Sequence, residues 1–449
     1  MTNKIEQLVL ATVAFFWAFL LWFSTAAFSP SIGEFYGLTT GQLALLASSA
    51  IWLAPPGRVL AGWAADRVGA HNVFTIILTY SGLVSIASAY ASGIGFLSDF
   101  QVLFIERLVV ASAGISFVVG IQHVAQWFDE HEIGTAEGLY AGTGNVGAGV
   151  GALLLPRIYG TNFSDAFLHL GIVALVIAAV YQWRGEPAKD LETAETARQN
   201  TSLGDTLFVW TRYAAIGLML AYAMSFGLEI AMNSWLPSYY AQGFDGAIAD
   251  LGFTGTAAIQ TAAGTFAAVQ SFNASLFRPF SGYMSDLWQR KGWTPYPLLS
   301  TTQDYSPRVH WLMTALILIT LTMIALTLVG LAGILPASVV VLAVFGVTVS
   351  FGTGGVFAIV PVLFEDRPGT ASGFIGGVST SGGIVYPLVY GYVPNIHTGY
   401  AVVALGCFVP IILFYVWAMR HEDDPREHGI GSARRWLGRE TTAAPGGDD

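Results

Sequence analysis

Cysteine and lysine are almost missing from this sequence. The one cysteine, Cys407, excludes a disulfide framework and a thiolate metal cluster. Lysine occurs only at Lys4, Lys189 and Lys291. Charged residues of all kinds make up 11% of the 449 positions, where a water-soluble chain carries roughly a quarter. No cleavable leader is expected either: Met1 to Glu6 is short and polar, and the first apolar run reads as a full span. No nucleophile–base pair, metal spacing or phosphate loop stands out, so neither an enzyme nor a metal or cofactor site is expected. The net charge of -10 comes from loops and tail. That pattern fits a high-salt origin or an ordinary acidic surface, and no nucleic-acid partner is expected.

What the chain has is apolar length. It is 54% hydrophobic, with a mean hydropathy of +0.59. Apolar runs able to cross ~30 Å of hydrocarbon recur from end to end, so the bilayer is the expected surrounding. Twelve spans fit, at about 7–31, 42–64, 73–94, 100–126, 134–156, 164–183, 208–238, 257–284, 310–331, 335–362, 369–392 and 398–419. With the N-terminus in the cytoplasm, fifteen Lys and Arg residues fall on the inner side and only Arg157 on the outer side. Basic residues concentrate on cytoplasmic loops, so both termini are expected inside. The polar stretch 186–207 reads as a cytoplasmic linker between an N-terminal half (1–185) and a C-terminal half (208–420). A cytoplasmic tail (421–449) follows.

The remaining three arginines, Arg58, Arg107 and Arg278, lie within spans. A cation inside a membrane is costly enough to suggest function. Arg58, Gly62 and Asp66 return 220 positions on as Arg278, Gly282 and Asp286. Residues spaced by four follow one helix stripe, so each arginine sits ~12 Å deeper than its aspartate. Asp66, Arg67 and Asp286 read as a cytoplasmic latch between helix ends. Arg107, beside Glu106 and nearer the outer surface, reads as structural. A second repeat pairs GTAEGLYAGTGNVGAG at Gly134 with GTASGFIGGVSTSGGI at Gly369. Parallel halves related by an axis along the membrane normal are the arrangement of major facilitator transporters. The fold expected is an all-α membrane protein, with twelve transmembrane helices in two pseudo-symmetric six-helix halves. The Asp-containing motifs resemble that superfamily's loop motif, with Ala70 and His71 where basic residues are usual.

Depth counting brings other side chains to the level of the arginines. Asn145 lies ~18 Å into the fifth span and Phe117 ~15 Å into the fourth, with Tyr222 at a similar height in the seventh. Two guanidiniums offer forked donors that match an oxoanion. Asn145 and Tyr222 add neutral donors, and Phe117 and Phe226 add flat faces. Gly142-x-Gly144-x-x-Gly147 spells a dinucleotide fingerprint, but it stands inside a membrane helix with no strand before it. Those glycines instead suit close helix packing.

These residues resemble the nitrate/nitrite porter family of the major facilitator superfamily. The glycine-rich fifth and eleventh spans resemble its paired nitrate signatures, with Asn145 as the signature asparagine and Thr380 opposite it in the repeat. Arg58, Arg278, Tyr222-x-x-x-Phe226-Gly227 and Phe117 stand where the family has its substrate residues. GTGGVFAIVP, from Gly352 to Pro361, resembles its tenth helix, with Ala358 in place of a glutamine. The resemblance implies a monomeric carrier in the cytoplasmic membrane that moves nitrate and/or nitrite by alternating access. It would work as a nitrate/nitrite antiporter or as a proton-coupled nitrate symporter; the alternative is a carrier of another small organic or phosphorylated anion. Nitrate carries no proton near neutrality, so symport needs a titratable side chain. Glu229 is the candidate for coupling, with Glu106 second. Without such a group, a doubly positive empty site resists reorientation and favours exchange.

Overall fold

A computed structural model describes residues 4–90, 95–128, 132–186, 212–364 and 368–420. Those residues fold as a bundle of helices. In chain order they are α1 (Lys4–Ala27), α2 (Thr40–Ser49, then Ala54–Val68), α3 (Ala70–Ser88), α4 (Asp99–Ala111, then Ser116–Ala125), α5 (Ile133–Tyr159) and α6 (Phe163–Arg184). There follow α7 (Tyr213–Tyr222, then Leu228–Gly243), α8 (Thr256–Leu276, then Arg278–Lys291), α9 (Ser306–Leu331) and α10 (Leu335–Leu363). The last two are α11 (Pro368–Val378, then Gly382–Tyr392) and α12 (Gly399–Val403, then Val409–Met419). Nine of these, all but α5, α8 and α11, are long and apolar enough among the described residues to cross a bilayer. The other three occupy the chain positions of the fifth, eighth and eleventh expected spans. The linker and tail expected at 186–207 and 421–449 lie outside the described residues, apart from Glu186.

Apolar side chains face both inward and outward, as a membrane solvent demands. Along α6, Ile172, Val173, Val176 and Val180 are exposed, while Leu170, Ala174 and Ala178 are buried. A stripe of exposed valines at helical spacing suits lipid, since hydrocarbon replaces water outside the bundle. By contrast α7 is buried on every side from Ala221 to Tyr240. A helix that is apolar all round belongs in the centre of its bundle.

Small residues set the closest approaches. A side chain at Gly147 would collide with the carbonyl oxygen of Phe16 in α1, and one at Gly264 in α8 would meet the carbonyl oxygen of Ala152 in α5. Thus α5 lies against α1 on one side and α8 on the other, the backbone-to-backbone packing that small residues permit in membranes.

The two ends of the bundle differ. At the end away from the N-terminus, here the distal end, hydrogen bonds join the two parts of the chain. The N–H of Ser31 donates to Gln260 Oε1 at 3.0 Å, the Ser31 hydroxyl donates to the same oxygen, and Gln260 Nε2 donates to the Gly160 carbonyl at 2.8 Å. Thr40 Oγ1 donates to Gln242 at 2.8 Å, and Arg157 Nη2 reaches Thr265 Oγ1 at 2.7 Å. At the proximal end, the ion pairs Lys4–Glu132, Arg184–Glu6 and Arg308–Asp286 each join helices from one part of the chain.

Candidate functional site

Four of the helices that shape the centre of the bundle are interrupted there. A 3-10 turn, Ser112–Ile115, divides α4, and another, Ser379–Ser381, divides α11. A π turn, Ala223–Gly227, divides α7. In α8 the break falls at Phe277, with Pro279 in the first turn that follows. Proline lacks the N–H that continues the helical ladder, which accounts for the interruption next to Arg278. Pro55 and Pro56 likewise open the second part of α2, just before Arg58. Short 3-10 and π turns often mark working sites, because they redirect side chains and loosen backbone carbonyls.

Arg58 uses two such carbonyls. Its Nη1 donates to Gly376 O in α11 at 3.2 Å, and its Nη2 reaches Gly114 O in the turn of α4 at 3.5 Å. The side chain is 3% exposed, and its Nε has no hydrogen-bond partner. The guanidinium carbon lies 5.4 Å from the centre of the Phe117 ring and 5.9 Å from that of Phe226.

Arg278 approaches the same Phe226 ring, at 5.2 Å. One phenylalanine therefore carries both guanidiniums within cation–π distance, which attracts each cation through the ring's electron-rich face. The two rings, Phe117 and Phe226, lie 6.1 Å apart. Asn145, fully buried, faces Arg278: oriented with its amide oxygen toward the arginine, it accepts from Nη2 at 2.9 Å and also from Nη1. Tyr222 stacks on Phe226 at 5.3 Å and meets Phe357 of α10 edge-on at 5.0 Å.

Every residue expected to bind the anion thus comes to one place: Arg58, Phe117, Asn145, Tyr222, Phe226 and Arg278. Glu229 joins them where the sequence reading kept it apart. Both of its carboxylate oxygens lie 2.7 Å from Nη2 of Arg278. The ion pair is nearly dry, with 13% of the arginine side chain and 1% of the glutamate exposed. Glu229 thus offsets one of the two positive charges, so the doubly positive empty site considered for a centre without such a group does not arise. The signal was the residue type: an acid inside a span is costly unless it finds a partner such as an arginine.

Sequence reading also missed the Gly114 and Gly376 carbonyls and Tyr140. The Tyr140 hydroxyl donates to the carbonyls of Ser116 and Phe117 at 3.2 Å, and its ring stacks on Phe15 at 4.8 Å. Backbone carbonyls carry no sequence signature, but the glycines beside them do. Thr380 turns its hydroxyl onto the Gly377 carbonyl at 2.6 Å and takes no part in the cluster.

The proximal motif residues sit apart from this centre. Asp286 pairs with Arg308 at 2.7 Å, which ties the end of α8 to the start of α9. Arg67 stays on its own helix, its guanidinium 3.7 Å above the Trp63 ring and Nη1 donating to the Trp63 carbonyl at 3.2 Å. The side chain of Asp66 lies outside what is described.

Chemically, the centre is a pair of arginines with unspent donors, aromatic walls and one carboxylate. It can hold a small anion, and none of its side chains is placed as a nucleophile.

Comparison with known proteins points the same way. The profile of the Major Facilitator Superfamily matches residues 10–301. The chain is 27% identical over 406 residues to a probable nitrate/nitrite antiporter, NarK1, of Thermus thermophilus, covering 87% of this chain and 85% of that one. It is 23% identical over 478 residues to the nitrate/nitrite transporter NrtP of Nostoc punctiforme, covering 88% and 89%. Among solved structures, the nucleoside transporter NupG superposes with a TM-score of 0.63 at 14% identity over 92% of this chain and 99% of that one. The inward-open xylose transporter XylE of E. coli gives 0.65 at 12% identity, over 95% and 99%. The chain is a multi-pass membrane transporter rather than an enzyme, and it belongs to the Major Facilitator Superfamily, with nitrate/nitrite transporters among its relatives.

Proposed function

We propose that this chain carries nitrate and nitrite across the cell membrane by alternating access, binding the anion between Arg58 and Arg278. One observation carries the reading: one buried and one partly buried arginine, from opposite parts of the chain, converge on a single phenylalanine ring, each with a buried, unpartnered Nε. A planar oxoanion accepts forked hydrogen bonds from guanidinium groups in its own plane, while the aromatic faces flank it. A bulkier organic or phosphorylated anion suits the site less well, because both cations stand within 6 Å of one ring centre and so close to one another. The names of the relatives supply the same substrates.

The two six-helix halves, 1–185 and 208–420, act as the rocking bodies. Their distal ends are tied by Ser31–Gln260, Thr40–Gln242 and Arg157–Thr265. At the proximal end, Gly62 and Gly282 have open space where a side chain would stand. We read this as the state closed to the outside, with the proximal end and both termini in the cytoplasm, as the basic residues favour. The chain works as a monomer in the lipid bilayer.

Glu229 decides between exchange and symport. Its carboxylate and the substrate compete for one guanidinium. A proton taken up by Glu229 from outside removes that competitor and leaves Arg278 to the anion; release of the proton inside restores the pair and expels the anion. With Glu229 ionised throughout, the site is balanced well enough to exchange nitrate for nitrite.

Purified protein in proteoliposomes tests the proposal, with nitrite or nothing trapped inside and the pH varied on each side. Nitrate uptake against trapped nitrite, or uptake driven by an inward proton gradient, is the expected result. Failure of both anions to move under every condition would overturn it.

A further inference from the structure

Among the described residues, the third intramembrane arginine lacks the ion pair that a structural role would give it. Arg107 is 3% exposed, yet among the described residues it makes no hydrogen bond and no ion pair, and its Nη1 is buried without a partner. Glu106, its neighbour in sequence, does not pair with it. A buried guanidinium without a counter-charge is strongly destabilising, and none of the described residues supplies one.

Two water-sized cavities flank the side chain. The first lies within α1, α3, α4 and α6, among Ser24, Ser85, Ser88, Glu106 and Phe167. The second lies between α1, α2 and α7, among Thr25, Ser29, Ala47, Ser234 and Ser238. Glu106 makes the first hostile to an anion. The second holds no acid. It is rich in hydroxyls, and two of them, Ser29 Oγ and Ser234 Oγ, are buried with no partner. This second cavity also crosses the boundary between the halves, since α7 supplies Ser234 and Ser238.

Its height in the bundle matters. Arg107 precedes Gly114, a carbonyl partner of Arg58, by seven residues, or ~10 Å toward the distal end. Ser234 follows Phe226 by eight residues, ~12 Å in the same direction. The cavity therefore lies one step distal to the central arginines, beneath the Ser31–Gln260 tie.

We propose that Arg107, with the hydroxyls of Ser29, Ser234 and Ser238, is a second binding site for the small oxoanion, which receives it from the distal side and passes it to Arg58 and Arg278. This rests on the transport reading above. In the closed state the halves pinch the site to the size of a water molecule. When the distal tie opens, Ser29 and Ser234 part and the guanidinium faces the entering anion, whose charge supplies the missing partner. The central site then takes the anion with the donors of Arg58, and with those of Arg278 once Glu229 releases it.

The test is kinetic and sided. In membrane vesicles of known orientation, the KM for nitrate is measured separately from the distal and the proximal face. Arg107→Gln is expected to raise the distal KM about 10-fold or more, as loss of a charge-assisted hydrogen bond does, and to leave the proximal KM unchanged. Ser234→Ala, a small change that keeps the fold, is expected to raise the distal KM roughly 3- to 10-fold. Arg107→Lys is expected to recover part of the loss. A distal KM unchanged by Ser234→Ala and by whichever Arg107 variant folds would overturn the proposal. So would equal rises on both faces, which mean an effect through the fold or the central site. Absence of nitrate and nitrite flux in the unaltered chain would instead overturn the transport reading on which it rests.

Discussion

Glu229 holds Arg278 by one nitrogen, with both carboxylate oxygens 2.7 Å from Nη2, while Asn145 faces the same guanidinium. Arg278 is thus already engaged by an internal carboxylate. On the proposed transport reading, anion and carboxylate compete for that guanidinium, and occupancy follows the charge on Glu229. Glu229→Gln is expected to abolish the dependence of nitrate uptake on a proton gradient and to lower the KM for nitrate, with nitrate/nitrite exchange retained. Uptake by the variant that still follows the proton gradient would remove Glu229 from coupling. Arg278→Gln should be far worse than Glu229→Gln, because it leaves a buried carboxylate uncompensated, a loss of about 3–5 kcal/mol.

Charge alone does not account for the arginines. Arg58 spreads two donors over the carbonyls of Gly376 and Gly114 while its guanidinium carbon lies 5.4 Å from the Phe117 ring centre and 5.9 Å from that of Phe226. A lysine ammonium cannot bridge both carbonyls and still present a planar fork to the anion. Arg58→Lys and Arg278→Lys are each expected to lower kcat/KM by about 10-fold or more with the fold intact. Transport assays paired with thermal unfolding check this. Full activity in both variants would make the arginines structural.

Phe226 offers a cleaner probe, since it touches both cations and bears no charge. Phe226→Leu retains most of the buried volume and removes the ring face. Each cation–π contact is worth about 0.5–2 kcal/mol, so affinity for the anion is expected to fall roughly 2- to 30-fold as the guanidiniums lose their platform. Equilibrium binding of nitrate to purified protein measures it. Unaltered affinity would mean that the ring only fills space.

Most of this architecture was readable from residue type and spacing, for a physical reason. A membrane punishes buried charge, so Arg58 and Arg278 announce themselves by being there at all, and their repeat fixes the relation of the halves. Asn145, Phe117, Tyr222 and Phe226 followed from depth and from likeness to known signatures. What escaped was geometry finer than one helical turn. The π turn at Ala223–Gly227 and the reach of an arginine side chain together bring Glu229 onto Arg278, although counting along the helix placed it ~10 Å above Tyr222. The carbonyls of Gly114 and Gly376 escaped because every residue has one. Sequence adjacency made Glu106 look like a partner for Arg107, but among the described residues the two side chains form no ion pair, and Arg107 Nη1 is buried without a partner.

His397, in the connection between α11 and α12, gives the distal end a dependence on pH. Burial lowers its pKa below the usual imidazole value, with a backbone hydrogen bond at Gly243 opposing, and the Tyr239 hydroxyl lies 3.0 Å from Nδ1. A histidine whose folded pKa is depressed binds its proton more readily when unfolded. Its contribution to stability is therefore present above the ordinary pKa, near 6.5, and declines as pH falls below it. Thermal unfolding should show a midpoint that drops between pH 7 and pH 5, and His397→Gln should flatten part of that drop. Identical pH profiles for the two proteins would place the dependence elsewhere.

The distal tie centred on Gln260 should set how readily the transporter opens outward. Its amide accepts from the N–H and hydroxyl of Ser31 and donates to the Gly160 carbonyl, so one side chain links α8 to both the segment after α1 and the end of α5. None of these bonds touches the substrate arginines. Gln260→Ala removes them together, at roughly 1 kcal/mol each, and so destabilises the distally closed state alone. Amide hydrogen exchange is expected to rise in the distal segments around Ser31 and Gly160 and to stay constant at the proximal ends of α2 and α8. Because a ligand can shift an equilibrium only by its differential affinity for the two states, the variant should also bind nitrate more tightly from the distal face than from the proximal one. Exchange and sided affinity that both match the unaltered chain would mean that these bonds join the halves without governing their motion.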